Sequence, residues 1–154
     1  MSWFSGEFWL GLDKIQWLIS GNATALRIDI GDFEGNKAFA QYYYSTFRVQ
    51  DSTTDYVLNV GGFSGTARDS LRHHNNQAFS TRDRDNDMDH RHCATTFRGS
   101  WWYLDCIWSC LNGPYHDGDP TPYLQPDGVV WFTWKNSYYS LRFTEMKLRR
   151  IWWE

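Results

Sequence analysis

Four aspartates, Asp83, Asp85, Asp87 and Asp89, stand at every second position and run into Cys93, with Cys106 a short way on. So many carboxylates in one short stretch repel each other unless a cation neutralises them. A hard ion such as Ca²⁺ takes several carboxylate and carbonyl oxygens from a loop of this kind. The stretch is not an EF-hand. Counted from Asp83, the sixth position is Met88 where glycine is needed and the twelfth is Ala94 where glutamate is needed; counted from Asp85 they are His90 and Thr96. Spacing alone leaves a calcium loop and a solvated acidic turn both open.

Other reactive side chains narrow the chemistry. If Cys93 and Cys106 are oxidised to each other, the closed loop stabilises by about 3 kcal/mol in the chain-entropy picture. Neither cysteine belongs to a CxxC pair of the kind a zinc site uses. The third cysteine, Cys110, is then left over, as a buried thiol or an intermolecular link. His90 and His92 flank Arg91 and read either as transition-metal ligands or as exposed loop side chains. Asp69-Ser70 and His73-His74 supply the residue types of a hydrolase, but nucleophile, base and acid must lie in mutual reach beside an oxyanion donor, and neighbours in sequence do not provide that. No catalytic residue is assigned, and the chain reads as non-enzymatic.

The elements that must hold these residues come from the pattern of apolar positions. Leu12, Ile15, Leu18 and Ile19 have helical spacing, stopped by Ser20-Gly21. From Ala25 the period becomes two: Leu26, Ile28 and Ile30 face one way, Arg27 and Asp29 the other. A turn at 32–36 leads to a returning strand over 38–49 and a further strand over 56–60. Residues 66–128 are loop-rich, with short helices near Asp69 to His74; a loop region of that length calls for a staple or a function. Alternation resumes over 129–134 and 140–148, so the last strand rejoins the sheet. The predicted class is α+β, a twisted antiparallel sheet with short helices and a long loop-rich region. One domain is expected, its sheet and helix part about 1–65 and 129–150 and its loop-rich part about 66–128. The 154 residues carry a net charge of −3 with scattered basic groups, and no apolar run spans a bilayer, so neither a nucleic-acid partner nor a membrane span is expected. Ten Trp, nine Tyr and ten Phe exceed what a core of this size takes up.

Read in order, Gly6-Glu-Phe-Trp-Leu-Gly-Leu, Leu26-Arg-Ile-Asp-Ile, Asp69-Ser-Leu, Phe79-Ser-Thr-x-Asp-x-Asp-Asn-Asp87, Cys93-Ala, Trp101-Trp-Tyr, Leu111-Asn-Gly-x-Tyr115, Gly128-Val-Val-Trp and Tyr139-Ser-Leu-x-x-Thr-Glu-Met-Lys147 resemble the fibrinogen C-terminal domain, the module of ficolins and tachylectins. The resemblance covers nearly the whole chain. It implies a secreted, non-enzymatic recognition module that binds calcium beside a ligand pocket.

Laid on the family's motif, the calcium carboxylates fall on Asp85 and Asp87, with backbone carbonyls of Asp89 and Arg91 completing the site. The family disulfide falls on Cys93 and Cys106, and the peptide before its second cysteine, Asp105-Cys106, is expected to be cis. Pocket positions fall on Phe97, Asp105, Cys106, Ile107, Ser137 and Tyr138; Ile107 stands where the family usually has histidine and makes the wall apolar. The loop 114–127, opposite that wall, is rich in proline. The module usually begins with a further subdomain, so this sequence reads as a truncated module with an uncovered sheet edge or face. The resemblance points to carbohydrate or acetylated ligands, or alternatively to a protein receptor or peptide end, with a homo-oligomer possible. In a secreted protein, Asn22 of Asn22-Ala-Thr24 is a glycosylation acceptor.

Overall fold

The computed structural model of the protein describes residues 6–21, 23–43, 47–116 and 127–151. Its elements run α1 (Leu12–Ile19), β1 (Thr24–Gly31), β2 (Lys37–Tyr42), β3 (Arg48–Val49), β4 (Leu58–Asn59), β5 (Phe63–Gly65), α2 (Cys93–Thr96), β6 (Ser109–Cys110), β7 (Val130–Trp131), α3 (Phe132–Lys135) and β8 (Phe143–Arg150), with single 3₁₀ turns at Ser52–Thr54 and Leu71–His74. This is an α+β fold of antiparallel sheets and short helices.

The main sheet has the order β5-β2-β1-β8. Alternation along β1 buries Leu26, Ile28 and Ile30 while Arg27 and Asp29 stay on the outer face, joined by a charge pair at 2.8 Å. On one side β1 meets β2, with Ile28 opposite Ala40; on the other it meets β8, with Ile28 opposite Met146. The turn between β1 and β2 is tied by Asp32, whose carboxylate accepts from the Asn36 backbone and side chain and pairs with Lys135 at 2.7 Å. These contacts hold the Asp32 carboxyl well below the usual carboxylate range, against the cost of its burial. Helix α1 packs Leu12, Ile15 and Ile19 on the core and turns Trp17 outward.

Two sequence expectations need correction. Residues 38–49 are not one strand: β2 ends at Tyr42, and β3 pairs with β4 in a separate ribbon. Residues 129–134 form a strand only at Val130 and Trp131, after which the chain turns into α3. Thr133 explains the turn. Its N–H donates to Ser70 Oγ at 3.0 Å and its hydroxyl donates to the Ala67 carbonyl at 3.0 Å, so the backbone there bonds the 67–70 loop rather than a neighbouring strand. The expected strand over 56–60 shrinks to β4, and the short helix near Asp69 to His74 is the 3₁₀ turn at Leu71–His74.

The loop-rich part has its own aromatic centre. Trp101, Trp102 and Tyr103 are buried; Trp102 meets Trp101 at 5.1 Å and Phe79 at 5.0 Å, both edge to face, one of the geometries that aromatic pairs prefer over a face-to-face sandwich.

Candidate functional site

The acidic loop is shaped by short-range bonds between side chains and backbone. Asp85 Oδ1 accepts from the Asp87 N–H at 3.3 Å, Asp87 Oδ1 from the Asp89 N–H at 3.0 Å, and Asp89 Oδ1 from the Arg91 N–H at 2.8 Å. Each carboxylate therefore caps the next turn of a tight spiral, and spacing by two makes this possible. Asn86 fastens the spiral to the body, donating from its side chain to the Phe79 carbonyl at 2.8 Å and from its backbone to Ser80 Oγ at 3.0 Å. The Met88 N–H reaches the Leu104 carbonyl at 2.8 Å, which ties the loop to the segment before Cys106.

The four aspartates differ sharply in what they face. Asp83 accepts from Thr81 Oγ1 at 2.7 Å. Asp89 is held by the guanidinium of Arg91 at 2.9 and 2.7 Å, which keeps its carboxyl well below the usual range. Asp85 and Asp87 have no Arg, Lys or His side chain within ion-pair distance among the described residues. Burial pushes the Asp87 carboxyl up and contact with Asp85 pushes it the same way, while the N–H groups of Cys93 and Asp89 pull it down. Two adjacent carboxylates with no direct ion pair among the described residues form a donor set suited to a hard divalent cation. Among the described residues the backbone carbonyls of Asp89 and Arg91 accept no backbone hydrogen bond outside helices and strands. The Asp89 side chain, by contrast, is taken by Arg91. A second grouping brings donor atoms of Asp89, Cys93 and Cys106 within 4.8 Å of one another, but both sulfurs there are in a disulfide and are not thiolate ligands.

That disulfide joins Cys93 to Cys106, and the Asp105-Cys106 peptide is cis. The Cys93 N–H donates to Asp87 Oδ2 at 2.9 Å, so the acidic pair, the start of α2 and the disulfide form one connected unit. Arg91 extends it: its guanidinium lies 5.7 Å from the Phe97 ring centre and 3.8 Å from Cys106 Sγ. Of the expected pocket residues, the structure thus gathers Phe97 and Cys106 around Arg91. Phe97 and Cys106 are buried, Ile107 is half-buried against the core, and Asp105 stands exposed. Ser137 and Tyr138 lie in the turn after α3, where the Tyr138 N–H donates to Asn136 Oδ1; no hydrogen bond or ring contact among the described residues joins them to Phe97 or Asp105. Two sizeable grooves lie elsewhere: one of about 590 Å³ on the outer face of the sheet beside Asp29, Arg142 and Phe143, and one of about 620 Å³ between α1 and residues 47–54. Most of the proline-rich loop 114–127, and Asn22 with it, lies outside the described residues.

Several histidines prove structural. His92 donates from Nε2 to the Thr81 carbonyl at 2.9 Å and bonds Thr95 Oγ1 through Nδ1 at 3.0 Å, whereas His90 stays exposed, 3.2 Å from Asp89. Ser70 bonds Thr133 at 2.8 Å, not a histidine. His74, which sequence reasoning considered only as a hydrolase base, is a buried hub. Its Nε2 accepts the N–H groups of Trp108 and Ser109 at 3.2 and 2.9 Å, so its Nδ1 carries the proton and donates to the Trp102 carbonyl at 2.7 Å. Burial holds it neutral, down from 6.5 to about 3. The neighbouring His73 stacks on Trp108 at 4.8 Å and meets the Asp105 carboxylate at 2.7 Å. One usable signal for this pair lies in the primary structure: adjacent histidines in a segment otherwise poor in periodic pattern. Cys110 is a free buried thiol, 3.3 Å from the Tyr103 hydroxyl, and burial pushes it up to about 11, which makes it an unreactive core side chain.

Comparison with known proteins agrees with this architecture. Residues 2–151 match the family of fibrinogen beta and gamma chains, C-terminal globular domain. Ryncolin-4 of Cerberus rynchops is 45% identical over 144 residues, which cover 93% of this chain and 41% of the relative. The human fibrinogen C domain-containing protein 1 is 43% identical over 96% of this chain and 32% of its own length. The chain therefore spans well under half of these curated relatives. Among solved structures, the fibrinogen-like globe domain of human ANGPTL6 superposes with a TM-score of 0.92 at 37% identity, covering 99% of this chain and 68% of that one. Lamprey fibrin D-dimer, solved with the peptide Gly-His-Arg-Pro-amide, superposes at 0.88 with 32% identity, covering 94% of this chain and 51% of that one. On sequence and on fold alike, the protein belongs to the family of C-terminal globular domains found in fibrinogen beta and gamma chains.

Proposed function

We propose that the protein is a calcium-dependent extracellular recognition domain whose ligand is a carbohydrate or another acetylated compound. Domains of this family are commonly extracellular, often bind calcium and are in general non-enzymatic. The Asp85 and Asp87 carboxylates, with no Arg, Lys or His side chain at ion-pair distance among the described residues, are the observation that carries the reading. In it they hold Ca²⁺ together with the backbone carbonyls of Asp89 and Arg91; the ion supplies positive charge in direct contact, where Arg91 pairs with Asp89 instead. Asp87 then passes the ordering of the loop to the Cys93 N–H and so to the disulfide and the Asp105-Cys106 backbone. The ligand need not touch the ion. An intact disulfide also fits an oxidising compartment.

A second reading has its own support. Ile107 makes one wall apolar and Asp105 leaves a carboxylate exposed, a combination suited to a peptide amino terminus, and the lamprey relative is solved with a peptide ligand. Screening the calcium-loaded protein on a glycan array and on a peptide library separates the readings. Binding of N-acetylated sugars that is lost with chelator supports the first; selective capture of peptide ends with no glycan signal overturns it in favour of the second.

A further inference from the structure

Two aromatic rings shortly after the disulfide stand open to solvent. Trp108 and Phe132 are each 41% exposed, with ring centres 5.4 Å apart and planes tilted by 46°. The Trp108 backbone is held on both sides, its N–H donating to His74 Nε2 at 3.2 Å and its carbonyl accepting the Phe132 N–H at 2.8 Å. One face of its indole is backed by the His73 ring, parallel to within 6° at 4.8 Å, and His73 is fixed in turn by the Asp105 carboxylate at 2.7 Å. The exposed indole is thus set in place before any ligand arrives, which lowers the ordering cost of binding. Polar groups lie in the same cluster. Asp105 is largely exposed and gives only Oδ1 to His73; its Oδ2 and the Trp108 Nε1–H make no hydrogen bond among the described residues.

The geometry points to a second carbohydrate subsite formed by Trp108, Phe132 and Asp105, which takes the ring of a neighbouring sugar in an oligosaccharide. The C–H face of a pyranose covers the indole, burying apolar surface on a ring whose polar tip stays available. One hydroxyl of the sugar donates to Asp105 Oδ2 and another accepts from the Trp108 Nε1–H. A free donor and a free acceptor beside an apolar face suit a neutral polyol. A cation would use the rings and the carboxylate but gains nothing from an indole N–H. A protein partner needs about 800 Å² on each side, and this surface is two rings and one carboxylate. The subsite rests on the carbohydrate reading proposed above and extends it through Asp105. The backbone of that residue runs into Cys106, whose sulfur lies beside Arg91 at the Phe97 ring, while its side chain turns to His73. Preference for the acetyl group then belongs to the Phe97 side and preference for chain length to Trp108. His73 is a positioning residue, holding indole and carboxylate without touching the sugar.

Calorimetric titration of the calcium-loaded 154-residue protein with N-acetylglucosamine and with its linear chitin trimer tests the inference. The trimer should bind about tenfold more tightly than the monosaccharide. Trp108→Ala should erase that difference, whereas Trp108→Tyr, which keeps an aromatic face, should retain most of it. Circular dichroism checks that the variants are folded; should Trp108→Ala unfold, Phe132→Ala takes its place. In the native protein the Trp108 indole N–H resonance, assigned by its loss in Trp108→Tyr, should shift with the trimer and stay in place with the monosaccharide. A trimer that binds no more tightly than the monosaccharide, or an advantage that survives Trp108→Ala, would overturn the subsite and leave the carbohydrate reading standing. No binding of either sugar, or a shift of the Trp108 resonance produced only by tetramethylammonium or an apolar peptide, would overturn both.

Discussion

The sheet and the loop-rich part satisfy buried backbone in opposite ways. Along β1, partners on both sides run residue against residue, with β2 from Leu26 to Gly31 and with β8 from Thr24 to Gly31, and the ladder needs only the right apolar face. Between residues 66 and 116 side chains take over: His74 holds the backbone at 102, 108 and 109, Asn86 holds 79, and Asp87 holds 89 and 93. A ladder tolerates many side chains that keep the pattern, whereas a backbone held by individual side chains fails one residue at a time. The loop-rich part is for that reason the part in which stability should respond to redox state and pH, and, on the function proposed above, to calcium.

The largest effect is expected from the sheet. Ile28→Ala, at a fully buried position opposite both Ala40 and Met146, should cost about 2–5 kcal/mol in denaturant unfolding, and the loss should be the same with calcium and with chelator. A calcium-dependent loss would break the separation between the two regions. Next comes the staple. Replacing Cys93 and Cys106 together by serine should cost about 3 kcal/mol and also weaken the response to calcium, because the Cys93 backbone is tied to Asp87.

Acid should act on the loop-rich part first. His74 has its folded pKa depressed from 6.5 to about 3, so between those values the unfolded state binds the extra proton. Stability contributed by the neutral ring is fully present above pH 6.5 and falls as the pH drops through that window. Carboxylates with depressed values, Asp32 of the sheet among them, begin to lose their contribution only below 3.8. Hydrogen exchange near pH 5 should accordingly show weakened protection around 102–109 while β1 holds; uniform weakening would remove the distinction. The smallest effect is Trp17→Ser, an outward side chain at 71% exposure, expected to change stability by less than about 0.5 kcal/mol.

How much of this was legible in the sequence follows the same division. Leu26, Ile28 and Ile30 announced β1, and the alternation of residues 140–148 announced a last strand that the structure places at Phe143–Arg150, because a half-buried strand writes its period directly into the chain. The alternation over 129–134 misled, since a strand and a short buried turn look alike over so few residues, and the hydrogen bonds that settle the matter at Thr133 come from residues more than sixty positions away. The uniform run of aromatics across 38–49 likewise hid the break after Tyr42. In the acidic loop spacing marked the four aspartates but not their division of labour. That Arg91 pairs with Asp89 and with neither Asp85 nor Asp87 is a matter of folded geometry. His74 was invisible as a hub because its three backbone partners lie 28 to 35 residues away.

Whether calcium orders the acidic loop is read most directly by hydrogen exchange with and without the ion, on the native protein and on Asp87→Asn. Calcium should raise protection across residues 85–93 and 104–107 in the native protein, leave β1 and β2 unchanged, and do nothing to the variant. Exchange that is indifferent to calcium in the native protein, or equal protection in Asp87→Asn, would refute the assignment of the ion to this loop.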